Sequence, residues 1–173
     1  MMTRSPRPPG WLRRQLPFLG TVVLVLALDQ VSKALVRSYL LPGESFPDTG
    51  WFRLTHILNS GASFGLFQGK NAALAITGLI GVLAIILYYR YMSAQSIWLR
   101  IALGLQLGGA VGNLTDRARQ GYVTDFFDVG AWPIFNVADS SLVVGIFLAV
   151  GLTFWGERQR AKTEETKPPE DFQ

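Results

Sequence analysis

The sequence contains no cysteine and a single histidine, His56. The first absence removes a disulfide framework, a thiol nucleophile and any cysteine-based metal site. Together the two remove most zinc ligand sets and serine–histidine catalysis. The run Ser60-Gly61-Ala62-Ser63 lacks the G-x-S-x-G elbow of a serine nucleophile. Charge is also scarce. Charged residues make up 16% of the chain, against roughly 25% in an ordinary soluble domain. Hydrophobic residues make up 49%, and the mean hydropathy is +0.26. Those values point to a membrane protein. The net charge of +4 and pI near 9.7 would admit a nucleic-acid partner. The basic residues, however, fall at helix flanks and tails rather than on one face, which argues against one. A length of 173 residues suits one domain, and no internal repeat is visible.

What is present is a set of long apolar runs. Residues 1–15 are basic and proline-rich and read as a disordered leader. The apolar run that follows is too long for the h-region of a signal peptide, and no small-residue cleavage site ends it. Spans are expected at 16–36, 72–89, 97–114 and 135–155, each able to cross about 30 Å of hydrocarbon. Tyr88, Tyr89 and Tyr91 beside Arg90 form an aromatic belt with a basic flank. Gly104, Gly108 and Gly112, four residues apart, offer a smooth face for close helix packing. Residues 40–70 carry turn signals around a run of β-formers, Trp51 to Ile57, and predict a small antiparallel sheet at the membrane surface. The stretch 59–68 continues that element or dips into the interface. The tail, 157–173, is charged and poor in apolar residues, hence disordered.

Lysine and arginine placement sets the topology. Ten of these residues lie in the leader, around the loop between the second and third spans, and in the tail; five lie on the other side, and Lys33 is inside a span. That bias places both termini in the cytoplasm. The fold class is therefore membrane α-helical, with four transmembrane helices and a small antiparallel sheet on the outer face.

Acids at the edge of hydrocarbon mark functional sites. The stretch from Val123 to Ser141 holds three: Asp125, Asp128 and Asp139. Asn136 is a fair N-cap for the last span, with Asp139 three residues on. Simple capping explains that spacing. A second carboxylate nearby would instead raise one pKa of the pair and create the one-proton dyad of an aspartic protease. Asp125 is the favoured partner. Asp128 competes but lies in a more polar turn that reads as solvent-exposed. By themselves, two acids fourteen residues apart leave both readings open. Asp29 and Lys33 sit one helical turn apart and can pair, either to tie the first helix to its neighbours or to handle substrate. Asn113 and Arg117 repeat that spacing at the end of the third span, with Asp116 adjacent. They either order the following loop or hold backbone carbonyls or a headgroup. His56 reads as a surface-sheet residue without metal partners. Ser140 and Ser141 read as small packing or capping groups.

Five segments occur in order: DQVSK at 29–33, NSGASFG at 59–65, GGAVGNLTDR at 108–117, VTDFFDV at 123–129 and FNVADSS at 135–141. With four spans, this set resembles the lipoprotein signal peptidase family, signal peptidase II, over about residues 15–156. The resemblance implies that Asp125 and Asp139 are the catalytic pair of an aspartic endopeptidase. It implies that Asn59, Gly61, Asn113, Arg117, Asn136 and Ala138 bind the substrate or support the site, with Asp29, Lys33 and Asp116 behind them. The implied reaction removes the signal peptide from a diacylglyceryl-modified bacterial prolipoprotein, just before the lipidated cysteine. No metal or organic cofactor is implied. The implied partners are that substrate and membrane lipids; the implied setting is the bacterial inner membrane, the active site toward the outer face, with the protein working as a monomer. A proton or ion relay through the intramembrane acids is the rival from another class. A relay needs polar residues along the whole path, and these acids gather toward one face. A non-enzymatic membrane scaffold would need no paired acids.

Overall fold

The computed structural model describes residues 11–61, 71–91 and 96–165. Four helices carry the chain: α1 (Trp11–Tyr39), α2 (Asn71–Tyr91), α3 (Ile97–Gln120) and α4 (Val137–Glu165). Each is long and apolar enough to cross a membrane. Their outward faces are large hydrophobics left uncovered by the protein, such as Leu24, Ile80 and Phe147. In water such faces would be a liability; in a bilayer they are the lipid surface. Three antiparallel strands complete the fold in the order β1 (Ser45–Phe46), β2 (Arg53–Asn59), β3 (Val123–Asp128).

The helices run past their apolar limits. α1 begins at Trp11, inside the expected leader, and α4 continues through 157–165 of the expected disordered tail. α3 continues to Gln120, so the polar helix end that carries Arg117 extends past the expected span and through Arg119. The α3 end is fixed by Gly121, whose left-handed φ of 79° lets its N–H reach the Arg117 carbonyl at 3.1 Å. The expected disorder at 1–10 and 166–173, the interfacial run at 62–68 and the short loop at 92–95 lie outside the described residues.

The third strand goes beyond the sequence reading, which marked Val123 to Ser141 for its acids and assigned no strand there. Nearly every residue of β3 is buried, so it lacks the alternation that marks a half-exposed strand. β3 pairs with β2 through Ile57 opposite Asp125 and Asn59 opposite Val123, with a register shift between Leu54 and Ile57. After β3 the chain turns at 129–134 and returns, so that Phe135 bridges Phe127. That return sets the head of α4 beside β3.

α3 is the central helix, packed against α1, α2 and α4. Its glycines permit this. A side chain on Gly104 would strike the Phe18 carbonyl at 2.8 Å and one on Gly108 would strike Val25 at 2.8 Å. At Gly112 it would meet the Asp29 carboxylate at 2.5 Å. The expected smooth face is thus the α1 seat. Gly109 faces the other way, and a Cβ there would collide with the Ala138 carbonyl of α4. Gly109→Leu is therefore expected to destabilise the fold by at least about 1–3 kcal/mol. Gly20→Ala, which has nothing within 4 Å to meet, is expected to be tolerated. Thermal unfolding in detergent checks both, and an unchanged midpoint for Gly109→Leu would contradict this packing.

Candidate active site

Two carboxylates from different elements converge at one end of the bundle. Asp125 lies on β3 and is 2% exposed. Asp139 lies in the first turn of α4. Asn136, fully buried, joins them. Its side-chain oxygen accepts from the Asp139 N–H at 2.9 Å, and its own N–H donates to Asp139 Oδ2 at 3.3 Å. This is a reciprocal capping box. The same side chain's Nδ2 donates to Asp125 Oδ1 at 2.6 Å. The expected cap and the expected pair are therefore one arrangement rather than alternatives.

Three asparagines address the two acids in the same manner. Asn59 Nδ2 donates to Asp125 Oδ2 at 2.7 Å, and Asn113 Nδ2 donates to Asp139 Oδ1 at 2.7 Å. In each case a donor-only group holds the amide oxygen. The Gly61 N–H takes Asn59 Oδ1 at 2.9 Å, Lys33 Nζ takes Asn113 Oδ1 at 2.9 Å, and the Asp139 N–H takes Asn136 Oδ1. Because these groups have no acceptor, each amide has only one sensible orientation. Every amide N–H₂ is thereby aimed at a carboxylate.

Behind the acids lies a dry ionic cluster. Lys33 is fully buried on α1 and its ammonium meets three acceptors: Asp29 Oδ2 at 2.9 Å, Asp116 Oδ2 at 3.0 Å and Asn113 Oδ1 at 2.9 Å. That satisfies all three of its donors. Asp29 Oδ1 in turn accepts from the Ala138 N–H at 3.0 Å, pinning the start of α4. Asp116 Oδ2 accepts from the Thr124 N–H at 3.3 Å, pinning β3 next to Asp125. Asp29 and Lys33 thus pair as their spacing suggested, and Asp116 completes a triad.

The other expected residues take definite places. Ala138 is fully buried between α1 and α3, acting through its small size and its N–H. Arg117 donates from Nη2 to the Gly61 carbonyl at 3.3 Å. Gly61 therefore links Asn59 to Arg117. Asp128 departs from expectation: it is buried, not solvent-exposed. It takes an ion pair from Arg53 at 2.6 Å and hydrogen bonds from Thr55 Oγ1 and the Gly130 N–H, both at 2.9 Å. The Gly130 N–H, with Thr55 and Arg53, holds its pKa below the usual carboxylate value against burial. Asp128 acts within the sheet and lies apart from the pair. Ser140 and Ser141 bond back to the Asn136 and Val137 carbonyls.

Two contributors escaped the sequence reading. Gln30 Nε2 reaches Asp29, Asp116 and the Gly112 carbonyl at 3.1–3.3 Å. Thr124 is fully buried, and its hydroxyl accepts from Arg37 at 3.0 Å. Gln30 lies inside DQVSK and Thr124 inside VTDFFDV. A polar residue in an apolar run was the available signal at both.

Burial pushes the Asp125 carboxyl up from 3.8 to about 7, and the Asp139 charge adds to it; Asn59, Asn136 and Lys33 oppose. At neutral pH the pair therefore retains a proton on Asp125 for a large share of the time. An apolar groove of about 480 Å³, walled by residues of 132–135 and 142–144, opens directly beside Asp139. Buried acid, charged neighbour and adjoining apolar groove together suit acid–base hydrolysis of a substrate presented from the bilayer.

A family model described as Signal peptidase (SPase) II matches residues 21–155. The chain belongs to the signal peptidase II family. The lipoprotein signal peptidase of Moorella thermoacetica is 44% identical over 134 residues, covering 77% of this chain and 89% of that relative. That of Syntrophomonas wolfei is 42% identical over 144 residues, covering 82% and 96%. A solved bacterial membrane enzyme, determined by the in meso method at 2.3 Å, superposes with a TM-score of 0.72 at 31% identity; 88% of this chain and 92% of that one are covered. The chain is a bacterial membrane protein and, by family, an aspartic-type protease.

Lys33→Met keeps most of the volume but removes the charge between Asp29 and Asp116. Breaking a buried ion cluster from one side is expected to destabilise by about 3–5 kcal/mol. The thermal midpoint in detergent should fall sharply. A midpoint equal to wild type would show that the cluster does not hold the fold.

Proposed function

We propose that this protein removes signal peptides from diacylglyceryl-modified prolipoproteins, cutting just before the lipidated cysteine, with Asp125 and Asp139 as the catalytic pair. One observation carries the reading: two carboxylates from separate elements, oriented by three asparagines of which Asn136 bonds both acids, converge beside an apolar groove at one end of a membrane bundle. Asn59, Gly61, Asn113, Arg117, Asn136 and Ala138 serve binding and support, backed by Asp29, Lys33 and Asp116. The chain acts as one membrane domain and as a monomer. Both termini lie in the cytoplasm and the site faces outward, following the lysine and arginine bias.

The chemistry follows from the two environments. Asp139 sits at the positive end of the α4 dipole and acts as base. It takes a proton from a water held between the acids, and the water oxygen attacks the carbonyl carbon before the cysteine. Asp125 gives its proton to the carbonyl oxygen, forming a neutral gem-diol. Collapse breaks the C–N bond, the leaving amine takes a proton from Asp139, and a diol hydroxyl returns one to Asp125. Both acids end as they began. The lipid chains of the substrate lie in the groove beside Asp139, along the outer part of α4.

The decisive assay uses purified protein with a diacylglyceryl-modified prolipoprotein. Asp125→Asn and Asp139→Asn are each expected to lower cleavage by roughly three orders of magnitude or more. Folded variants that still cut would remove the pair from the reaction. Equal cutting of the unlipidated precursor would overturn the substrate assignment.

The raised Asp125 value gives two pH dependences. Above about 7 both acids become anionic, so kcat/KM is expected to fall as pH rises through that value, with the apparent value belonging to the pair. For stability, the carboxyl titrates at 3.8 when freely solvated and about 7 when folded. Folding therefore takes up a proton between those values, so stability falls as pH rises through that window and levels off above it. Asp125→Asn should flatten this slope. A wild-type slope of the opposite sign across pH 5–7, with the variant unchanged, would contradict the assignment.

A further inference from the structure

α2 and α4 both pack on α3, but their backbones stay apart from each other. The gap is an open apolar cleft with α3 as its floor. It is formed by two cavities that share Ile85, of about 240 Å³ and about 600 Å³. The first is lined by Asn113 and Arg117 at its polar end, and the second reaches Leu103 and Phe154. From Arg117 to Leu103 the α3 floor measures about 21 Å at 1.5 Å per residue.

The glycines of this cleft differ from those at the helix contacts, and share with Gly20, Gly151 and Gly156 the open space around them. Gly104, Gly108, Gly109, Gly112 and Gly145 are each required by a neighbouring helix of the same chain. Gly78 and Gly81 line the cleft on α2, yet a Cβ at Gly81 would meet nothing within 4 Å, and one at Gly78 only Leu114 at 4.0 Å. Among the described residues, no other helix is seated closely on these two glycines. Glycines one turn apart are what a close helix–helix crossing in a membrane requires. Resting on the function proposed above, we infer that the α2/α4 cleft receives the apolar h-region of the substrate's signal peptide as a helix that crosses α2 at Gly78 and Gly81.

The dimensions and the chemistry agree. An h-region of roughly 7–15 residues is about 10–22 Å long as a helix, which matches the cleft. Its end arrives at Asn113, whose Nδ2 is bonded to Asp139 at 2.7 Å. The chain leaving the helix is then delivered to the acids with its carbonyls beside Arg117. The lipid groove opens on a different wall of α4, and Leu142 lines both it and the cleft. A substrate cut between its helix and its lipidated cysteine would straddle the head of α4.

Gly81→Leu tests this, because a Cβ there meets no described residue and the side chain projects at the cleft lining. With a full-length diacylglyceryl prolipoprotein, KM is expected to rise roughly tenfold or more, as for overpacking a filled interface. With a short lipopeptide that keeps the cleavage site but lacks the h-region, Gly81→Leu and wild type should agree. A photo-crosslinking residue replacing Ile85, in an Asp125→Asn background, should label the h-region of the bound precursor. Wild-type kcat/KM on the full-length precursor, or crosslinks only to the diacylglyceryl chains or to bulk lipid, would overturn the inference. Wild-type cleavage in the same experiment reports separately on the function itself: if wild type fails to cut, the function falls, whatever Gly81→Leu does.

Discussion

A lysine ammonium out of reach of water must have all three N–H bonds met inside the protein. Lys33 satisfies that constraint, and the rest of the site depends on how it does so. Two of its acceptors, Asp29 and Asp116, extend to the backbone N–H groups of Ala138 and Thr124. One thus fixes the head of α4 and the other fixes β3, the two elements that carry the acids. Its third acceptor, Asn113, is turned so that its amide donates to Asp139. One buried cation therefore sets both the backbone and a side-chain contact of the pair.

The acids need this support because they lie where charge is expensive. Asp29, Asp116, Asp125 and Asp139 gather around Lys33 and Arg117 as the nearby cations. Burial away from bulk water disfavours the charged form of Asp125, the Asp139 charge adds to that, and retaining a proton on Asp125 relieves both. The dyad's proton is thus a consequence of the surrounding electrostatics. Amide donors whose orientation is fixed by donor-only neighbours keep both acids placed through the changes of charge that hydrolysis requires.

Much of this was legible in the sequence, for reasons that differ by element. The four spans followed from long apolar runs, and the α1 seat from Gly104, Gly108 and Gly112. Asp29 and Lys33 at helical spacing announced their own pairing. The helix ends were less legible, because capping at Gly121 and the charged turns beyond Leu114 carry no hydropathy signal. β3 was hidden by its burial on both faces. Asp128 looked exposed because its partners, Arg53 and Thr55, come from a strand some seventy residues earlier, and linear sequence does not display such a pairing. Asp125 and Asp139 were a candidate pair as acids at the edge of hydrocarbon, and family resemblance made that pair catalytic; spacing alone left simple capping open, and the structure shows capping and pairing to coexist through Asn136.

The central claim is that the fold holds one proton on this pair at neutral pH, on Asp125. Infrared titration of the carboxyl stretch in the intact protein addresses it directly, with Asp125→Asn as the reference. The account predicts one protonated carboxyl band in wild type that disappears as pH rises through about 7 and is missing from the variant. A wild-type protein whose buried carboxyls are all ionised by pH 5, or a band that survives unchanged in Asp125→Asn, would contradict it.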